Sequence, residues 1–214
     1  MRRPIIAGNW KMNKTVGEAI ELATGLKRNL YKIQNVDIVI APPFTALSEV
    51  SEVIMDSDIK LCAQNMYWAD SGAFTGEISP LMLKDAGCVY VIIGHSERRI
   101  YFGESNESVN KKIKLALERG LIPIMCVGEK LQEREENRTF DVIANHIKGG
   151  LAGISKEDMP NIIIAYEPVW AIGTGKNATP KEAEEVHKFI RTQLTEMFDK
   201  EISETARIQY GGSV

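Results

Sequence analysis

The sequence of 214 residues predicts an α/β fold in which parallel strands and helices alternate and close into a barrel. Three observations carry this expectation. Short runs rich in β-branched residues alternate with longer amphipathic segments along the whole chain. Most of the runs are too apolar to alternate cleanly, as expected of parallel strands covered on both faces. The turn after the first run reads Ala7-Gly8-Asn9-Trp10-Lys11 and lacks the glycine-rich phosphate loop that open, doubly wound sheets often carry there.

Seven strands are predicted, at residues 5–9, 37–41, 60–63, 89–94, 122–127, 161–166 and 207–211. The helices between them begin at side-chain oxygens that can accept from the free N–H groups of a first turn. Thr15-Val16-Gly17-Glu18 and Thr179-Pro180-Lys181-Glu182 fit the capping box, the second with proline at the first helical position. Ser79 before Pro80, and Ser105, read as N-caps. After Thr179, the residues Ala183, Val186, Ile190, Leu194 and Met197 recur at helical spacing, with Glu184, Glu185, Lys188 and Arg191 on the other face. The mixed charges from Glu129 to Arg138 read as a solvated helical face with no binding role. No linker or low-complexity segment divides the chain, so residues 1–214 are expected to form a single domain.

Composition narrows the function classes. With 44% hydrophobic and 26% charged residues and a net charge of −3, the chain has the make-up of a soluble globular protein. Its 26 basic and 29 acidic residues offer no excess positive charge to a nucleic-acid backbone. The first eight residues contain neither a secretory h-region nor a membrane span, so a cytoplasmic location and no membrane partner are expected. Cys62, Cys88 and Cys126 are odd in number and lack metal-ligand spacing, which predicts reduced, buried thiols and no metal site.

In a βα barrel the chemistry sits where strands end and βα loops begin. Strand one ends in Asn9-Trp10-Lys11, where an ammonium at the rim would face anionic groups; the bland reading is an ordinary solvated lysine. Strand four runs into Gly94-His95-Ser96-Glu97-Arg98-Arg99, which places the His95 imidazole at the rim for acid–base work or donation to a developing oxyanion. His146 and His187 lie within helical patterns, where surface or packing roles are the default. Strand six runs into Glu167-Pro168 and then to Gly173 and Gly175. A strand-end salt bridge is the bland alternative to a catalytic base at Glu167, and the stiff start and permissive middle of the loop suit a lid. The N–H of Gly173 could bind phosphate, and Gly211-Gly212-Ser213 after strand seven could do the same, although such a triplet alone is more often a turn.

Together these motifs resemble the triosephosphate isomerase family. The residues from Ala7 to Asn13, Ala41-Pro42-Pro43-Phe44, Gln64-Asn65, Gly94 through Arg99, Cys126-Val127-Gly128-Glu129, Ala165 through Lys176, and Tyr210-Gly211-Gly212-Ser213-Val214 stand in that family's order and spacing. The resemblance spans the chain. It implies a (β/α)8 TIM barrel and a place in glycolysis and gluconeogenesis. The implied reaction is interconversion of dihydroxyacetone phosphate and D-glyceraldehyde 3-phosphate, without cofactor or metal. The family is itself the standing example of a glutamate base paired with a neutral histidine electrophile, so those roles come to Glu167 and His95 by resemblance. It also implies that Lys11 balances negative charge, Asn9 holds the substrate oxygens, Glu97 supports the surroundings of Lys11 and Ser96, and Gly173 and Ser213 bind phosphate. The loop from Pro168 to Ala178 would keep water from the enediolate. A homodimer is implied through the protruding segment from Gln64 to Glu77.

The family's pattern continues past strand seven with a helix, an eighth strand carrying a phosphate loop, and a last helix, whereas this sequence ends at Val214. A barrel lacking strand eight would expose the edges of strands one and seven and lose phosphate donors. A fragment of an ordinary isomerase is therefore the expectation. An inactive incomplete barrel needing its C-terminal unit is the alternative. An aldolase is disfavoured because Lys11, the convincing strand-end lysine, belongs to the isomerase motif.

Overall fold

The computed structural model describes residues 2–172, 175 and 177–212, and its contacts divide them into two compact units. The first comprises Arg3–Ile93 and Leu115–Pro123. It holds β1 (Ile5–Asn9), α1 (Val16–Leu30), β2 (Asp37–Ala41), α2 (Leu47–Ile54), β3 (Lys60–Ala63), α3 (Pro80–Asp85) and β4 (Cys88–Ile93). Its strands pair in parallel in chain order, with Ile5 opposite Asp37 and Asn9 opposite Ala41. Val39, Leu61, Cys62, Val91 and Ile93 are buried, and Ala19, Ala23, Val50 and Ile54 supply the buried helix faces. β1 departs from the expectation of strands covered on both faces: its burial alternates, and Ile6 is 66% exposed.

The capping expectations hold. Thr15 N and Oγ1 both donate to Glu18 Oε2, at 2.8 and 2.9 Å, and Met82 N donates to Ser79 Oγ at 3.2 Å. The segment between β3 and α3 packs on itself, with Tyr67 against Trp68 and Phe74. Asp70 there accepts from both Nε and NH2 of Arg119.

The second unit comprises Gly94–Lys114 and the chain from Ile124 onward, together with Arg2. It contains α4 (Ser96–Tyr101), most of α5 (Asn106–Glu118), β5 (Ile122–Val127) from its third residue, α6 (Leu131–Glu135), α7 (Thr139–Gly150), β6 (Ile163–Tyr166), α8 (Pro180–Met197), α9 (Lys200–Thr205) and β7 (Arg207–Tyr210). β5, β6 and β7 pair in parallel, with Val127 opposite Tyr166 and Tyr166 opposite Tyr210. All four β6 residues are buried, against Val186, Ile190 and Leu194 of α8 among others. Thr179 and Glu182 form the predicted box, and Ser108 N donates to Ser105 Oγ at 3.2 Å.

Four boundaries and two faces differ from the sequence reading, β4 starting one residue early at Cys88. β4 stops at Ile93 because Gly94 adopts φ +76°, and β6 starts at Ile163 because Met159–Asn161 form a 3-10 turn around Pro160. β7 ends one residue early, at Tyr210. Arg191, expected on the open face of α8, is half-buried and donates to Ser203 O and Ala206 O, tying α9 to α8. The run from Glu129 to Arg138 is not one solvated helix. α6 spans five residues, Asn137 turns the chain at φ +56°, and Glu129 is completely buried.

Cys62, Cys88 and Cys126 are buried free thiols, as expected, and burial pushes Cys88 up to about 12. Among the described residues, no helix is long and apolar enough to cross a membrane, and no group of His, Cys, Asp and Glu could hold a metal ion.

Candidate active site

In the second unit, the turn between β4 and α4 sets the histidine. The left-handed backbone at Gly94 swings the chain out of the strand, and His95 becomes the N-cap of α4. Its carbonyl accepts from Arg98 N and Arg99 N, at 2.9 and 3.0 Å, and its Nδ1 accepts from Glu97 N at 3.2 Å. A ring nitrogen that accepts carries no proton, so the neutral imidazole presents its N–H at Nε2. That Nε2 stands 3.3 Å from Glu167 Oε1. Glu97 Oε2 lies 3.6 Å from Nδ1.

Glu167 directly follows β6 and is 5% exposed; His95 and Ser96 are each 7% exposed. Its backbone N–H donates to Val127 O at 2.7 Å. Its Oε2 accepts from Ser96 N at 3.1 Å, at the electropositive start of α4. Two glycines make room for it. A Cβ on Gly128 would lie 1.7 Å from the Glu167 carbonyl oxygen, and one on Gly211 would lie 3.0 Å from Glu167 Cγ. Gly211 N also donates to Tyr166 O at 2.7 Å. Burial, with the Glu167 carboxylate beside it, holds the Cys126 thiol well above its ordinary range.

Behind this pair lies a carboxylate that sequence periodicity hides. Glu129 Oε1 accepts from Trp170 Nε1 at 2.8 Å, Tyr166 OH at 3.1 Å and Arg134 NH1 at 3.2 Å. The Arg134 guanidinium stands 4.7 Å from the Trp170 ring centre, and its NH2 donates to Glu182 Oε1 at 2.6 Å. Burial and the Glu129 charge push the Tyr166 hydroxyl up. His146 is a packing residue: Gly128 N reaches its Nδ1 at 3.4 Å, and burial pulls it down to about 3. His187 packs edge-on to Tyr166, and burial also lowers it.

In the first unit, the end of β1 forms a strained turn. Lys11 adopts φ +53°, a costly conformation for a side chain of its size, and its N–H donates to Asn9 Oδ1 at 3.0 Å. Gln64 Nε2 donates to Lys11 O at 2.9 Å and to Ala41 O at 2.8 Å, holding that turn. Asn9 thus engages its amide oxygen within the turn and keeps its NH2 as the donor end.

Gly173 and Ser213 lie outside the described residues, as do Thr174 and Lys176 of the expected lid. At the start of the expected lid, Val169–Ala171 form a 3-10 turn, and Thr179 just beyond its end caps α8.

A buried carboxylate against a neutral N–H donor suits proton abstraction beside a carbonyl: the base takes the carbon-bound proton while the imidazole donates to the oxygen that gains charge. Ser96, Gly128, Gln64 and Glu129 were given no part in the site by sequence, although all four fall within the family-like motifs; Gln64 and Gly128 carried a further signal, each directly following a predicted strand.

The triosephosphate isomerase family model matches residues 4–214. Relatives curated as triosephosphate isomerase match all 214 residues of this chain, which correspond to 86% of the protein from Alkaliphilus metalliredigens at 58% identity and 86% of that from Caldanaerobacter subterraneus subsp. tengcongensis at 56%. The Fusobacterium nucleatum protein is 55% identical, with 85% of its length covered. The chain belongs to the triosephosphate isomerase family, and its succession of parallel βα units is that family's TIM barrel, with seven strands among the described residues.

Proposed function

We propose that this chain interconverts dihydroxyacetone phosphate and D-glyceraldehyde 3-phosphate, with Glu167 as the base and His95 as the electrophile. The observation that carries this reading is the 3.3 Å approach of His95 Nε2 to Glu167 Oε1, both side chains being buried. Glu167 removes a proton from the carbon beside the carbonyl, which leaves an enediolate, and returns a proton to the adjacent carbon. His95 donates from Nε2 to the carbonyl oxygen and shuttles protons between the two enediolate oxygens. The two sugars are isomers, so the proton transfers balance without an oxidant.

Lys11 compensates the charge of the enediolate and phosphate, and Asn9 orients the oxygens through its NH2 end. Glu97 supports the surroundings of Lys11 and Ser96. The N–H groups of Gly173 and Ser213 bind the phosphate, and the loop 168–178 excludes water, which protects the enediolate from phosphate elimination. The self-packed segment 64–77 leaves Trp68 38% and Phe74 43% exposed, which supports a homodimer interface there. A cytoplasmic location accords with the glycolytic role.

Turnover of glyceraldehyde 3-phosphate by the purified chain tests this reading. Isomerisation to dihydroxyacetone phosphate is the expected result. A folded chain that binds the phosphate ester without isomerising it would overturn the assignment.

A further inference from the structure

We infer that Arg99 is a positioning residue for His95: its guanidinium fixes the carbonyl of Gly94 and so sets where His95 Nε2 stands against Glu167. This rests on the roles proposed above for those two residues. Arg99 Nε donates to Gly94 O at 2.8 Å, NH1 donates to Asn106 Oδ1 at 2.8 Å, and NH2 reaches Cys126 O at 3.5 Å. On the other side of the same residue, Gly94 N donates to Glu104 Oε2 at 3.1 Å. Both peptide groups of Gly94 are therefore held, and the second of them is the bond to His95.

The arrangement is suited to arginine and not to lysine. A guanidinium offers donors in a rigid plane and can serve three acceptors at fixed angles, whereas an ammonium is a point donor on a flexible stem. The acceptors come from three places that matter to the pair. Gly94 carries His95. Cys126 lies two residues before Gly128, whose missing Cβ makes room for the Glu167 carbonyl. Asn106 is anchored in turn, donating from Nδ2 to Asn145 O at 3.1 Å. Space around Gly94 is already closed, since a Cβ there would lie 3.0 Å from Arg99 NH2 and 3.0 Å from Val109 Cγ2. With Gly94 at φ +76°, the Arg99 bond to its carbonyl and the Glu104 bond to its N–H hold the turn from both sides, and loss of the first leaves the peptide bond to His95 held from one side alone.

Arg99 also lines a cavity of about 270 Å3, with Ser96, Asn106, Val127 and Glu167 among its other walls. Removal of the side chain would open this space to a small planar cation, which allows a rescue experiment.

The test compares the unmodified chain with Arg99→Ala and Arg99→Lys. Steady-state kinetics with glyceraldehyde 3-phosphate are run with and without millimolar guanidinium chloride, with methylammonium chloride as the control cation. Nitrogen chemical shifts of ¹⁵N-labelled histidine report the tautomer of His95. In Arg99→Ala, kcat should fall by about tenfold to a hundredfold, the scale of loss when reacting groups move by about 1 Å, while KM changes by less than about threefold. Guanidinium should restore kcat by about tenfold and methylammonium should not. The His95 nitrogens should lose the pattern of a bare Nδ1 with a protonated Nε2, and Arg99→Lys should recover only part of each effect. Unchanged His95 shifts, or a loss of kcat and thermal stability that guanidinium does not reverse in either variant, would reduce Arg99 to a structural residue and overturn the inference. If instead the unmodified chain shows no turnover while its His95 shifts still respond to Arg99, the proposed function fails and the positioning role stands.

Discussion

Glu167 divides its carboxylate between two partners: Oε1 faces His95 Nε2 at 3.3 Å, and Oε2 accepts the Ser96 amide N–H at 3.1 Å. Both partners belong to one turn, residues 94–97, so the proposed base and electrophile are held from a single turn. The His95 tautomer is settled on the far side of the ring by Glu97 N, which leaves Nε2–H directed at the reacting side. Several consequences can be measured.

Gly128→Ala should damage activity without touching any ionisable group. The new Cβ would sit 1.7 Å from the Glu167 carbonyl oxygen and 2.7 Å from its carbonyl carbon, so the backbone that carries the proposed base must move. We expect a stability loss of about 1–3 kcal/mol, as for overpacked sites, and a larger fall in kcat than rise in KM. Thermal unfolding and steady-state kinetics check both, with Gly25→Ala as a control. Gly25 lies within α1 with nothing inside 4 Å of its added Cβ, so alanine should stabilise there by roughly 0.5–1 kcal/mol.

Glu129→Gln should weaken the support beneath the start of the 168–178 loop. It removes the charge from an oxygen that serves Trp170, Tyr166 and Arg134 together, and leaves the Arg134 cation with Glu182 as its carboxylate partner among the described residues. A cost of about 1–3 kcal/mol is expected for a hydrogen bond to a charged buried group. In a double-mutant cycle with Arg134→Gln, the two losses should sum to more than the loss in the double variant. Strict additivity, measured by urea unfolding, would contradict the coupling.

His146 predicts a specific pH response. Burial pulls its pKa from 6.5 down to about 3 in the folded chain, so below pH 6.5 the unfolded chain binds the extra proton. Stability is thus fully present above pH 6.5 and falls as the pH drops toward 3. Between pH 6.5 and 4.5, this residue alone should remove about 2 kcal/mol. His146→Gln should flatten the decline of Tm over that interval, and parallel Tm profiles for the two proteins would contradict the assignment.

How much of this was legible in the sequence follows from how local each feature is. The capping boxes at Thr15 and Thr179 are written within four residues and are found where predicted. The positions of Asn9, His95 and Glu167 at or just past strand ends were legible for the same reason, a β-branched run meeting a polar turn. Glu129 was not, because its charge continues the pattern of exposed neighbours, and only tertiary packing of Tyr166 and Trp170 makes it a buried acceptor. Gly211 read as room for a phosphate; its second use, leaving space beside Glu167 Cγ, depends on tertiary packing that the sequence does not show. Arg191 had the spacing of a surface residue, yet α9 folds back onto it and supplies carbonyl acceptors. Such contacts join residues far apart in the chain, and local pattern does not encode them.

The central claim is that the Glu167 carboxylate is the base. Its most direct test is kcat and KM for glyceraldehyde 3-phosphate in Glu167→Asp beside the unmodified chain. Shortening the side chain by one methylene withdraws the carboxylate from the carbon while leaving the other substrate contacts in place. We predict that kcat falls by about a hundredfold or more, the order of loss for a misplacement of about 1 Å, with KM changed by less than about threefold. A retained kcat, or a loss carried equally by KM, would contradict the account.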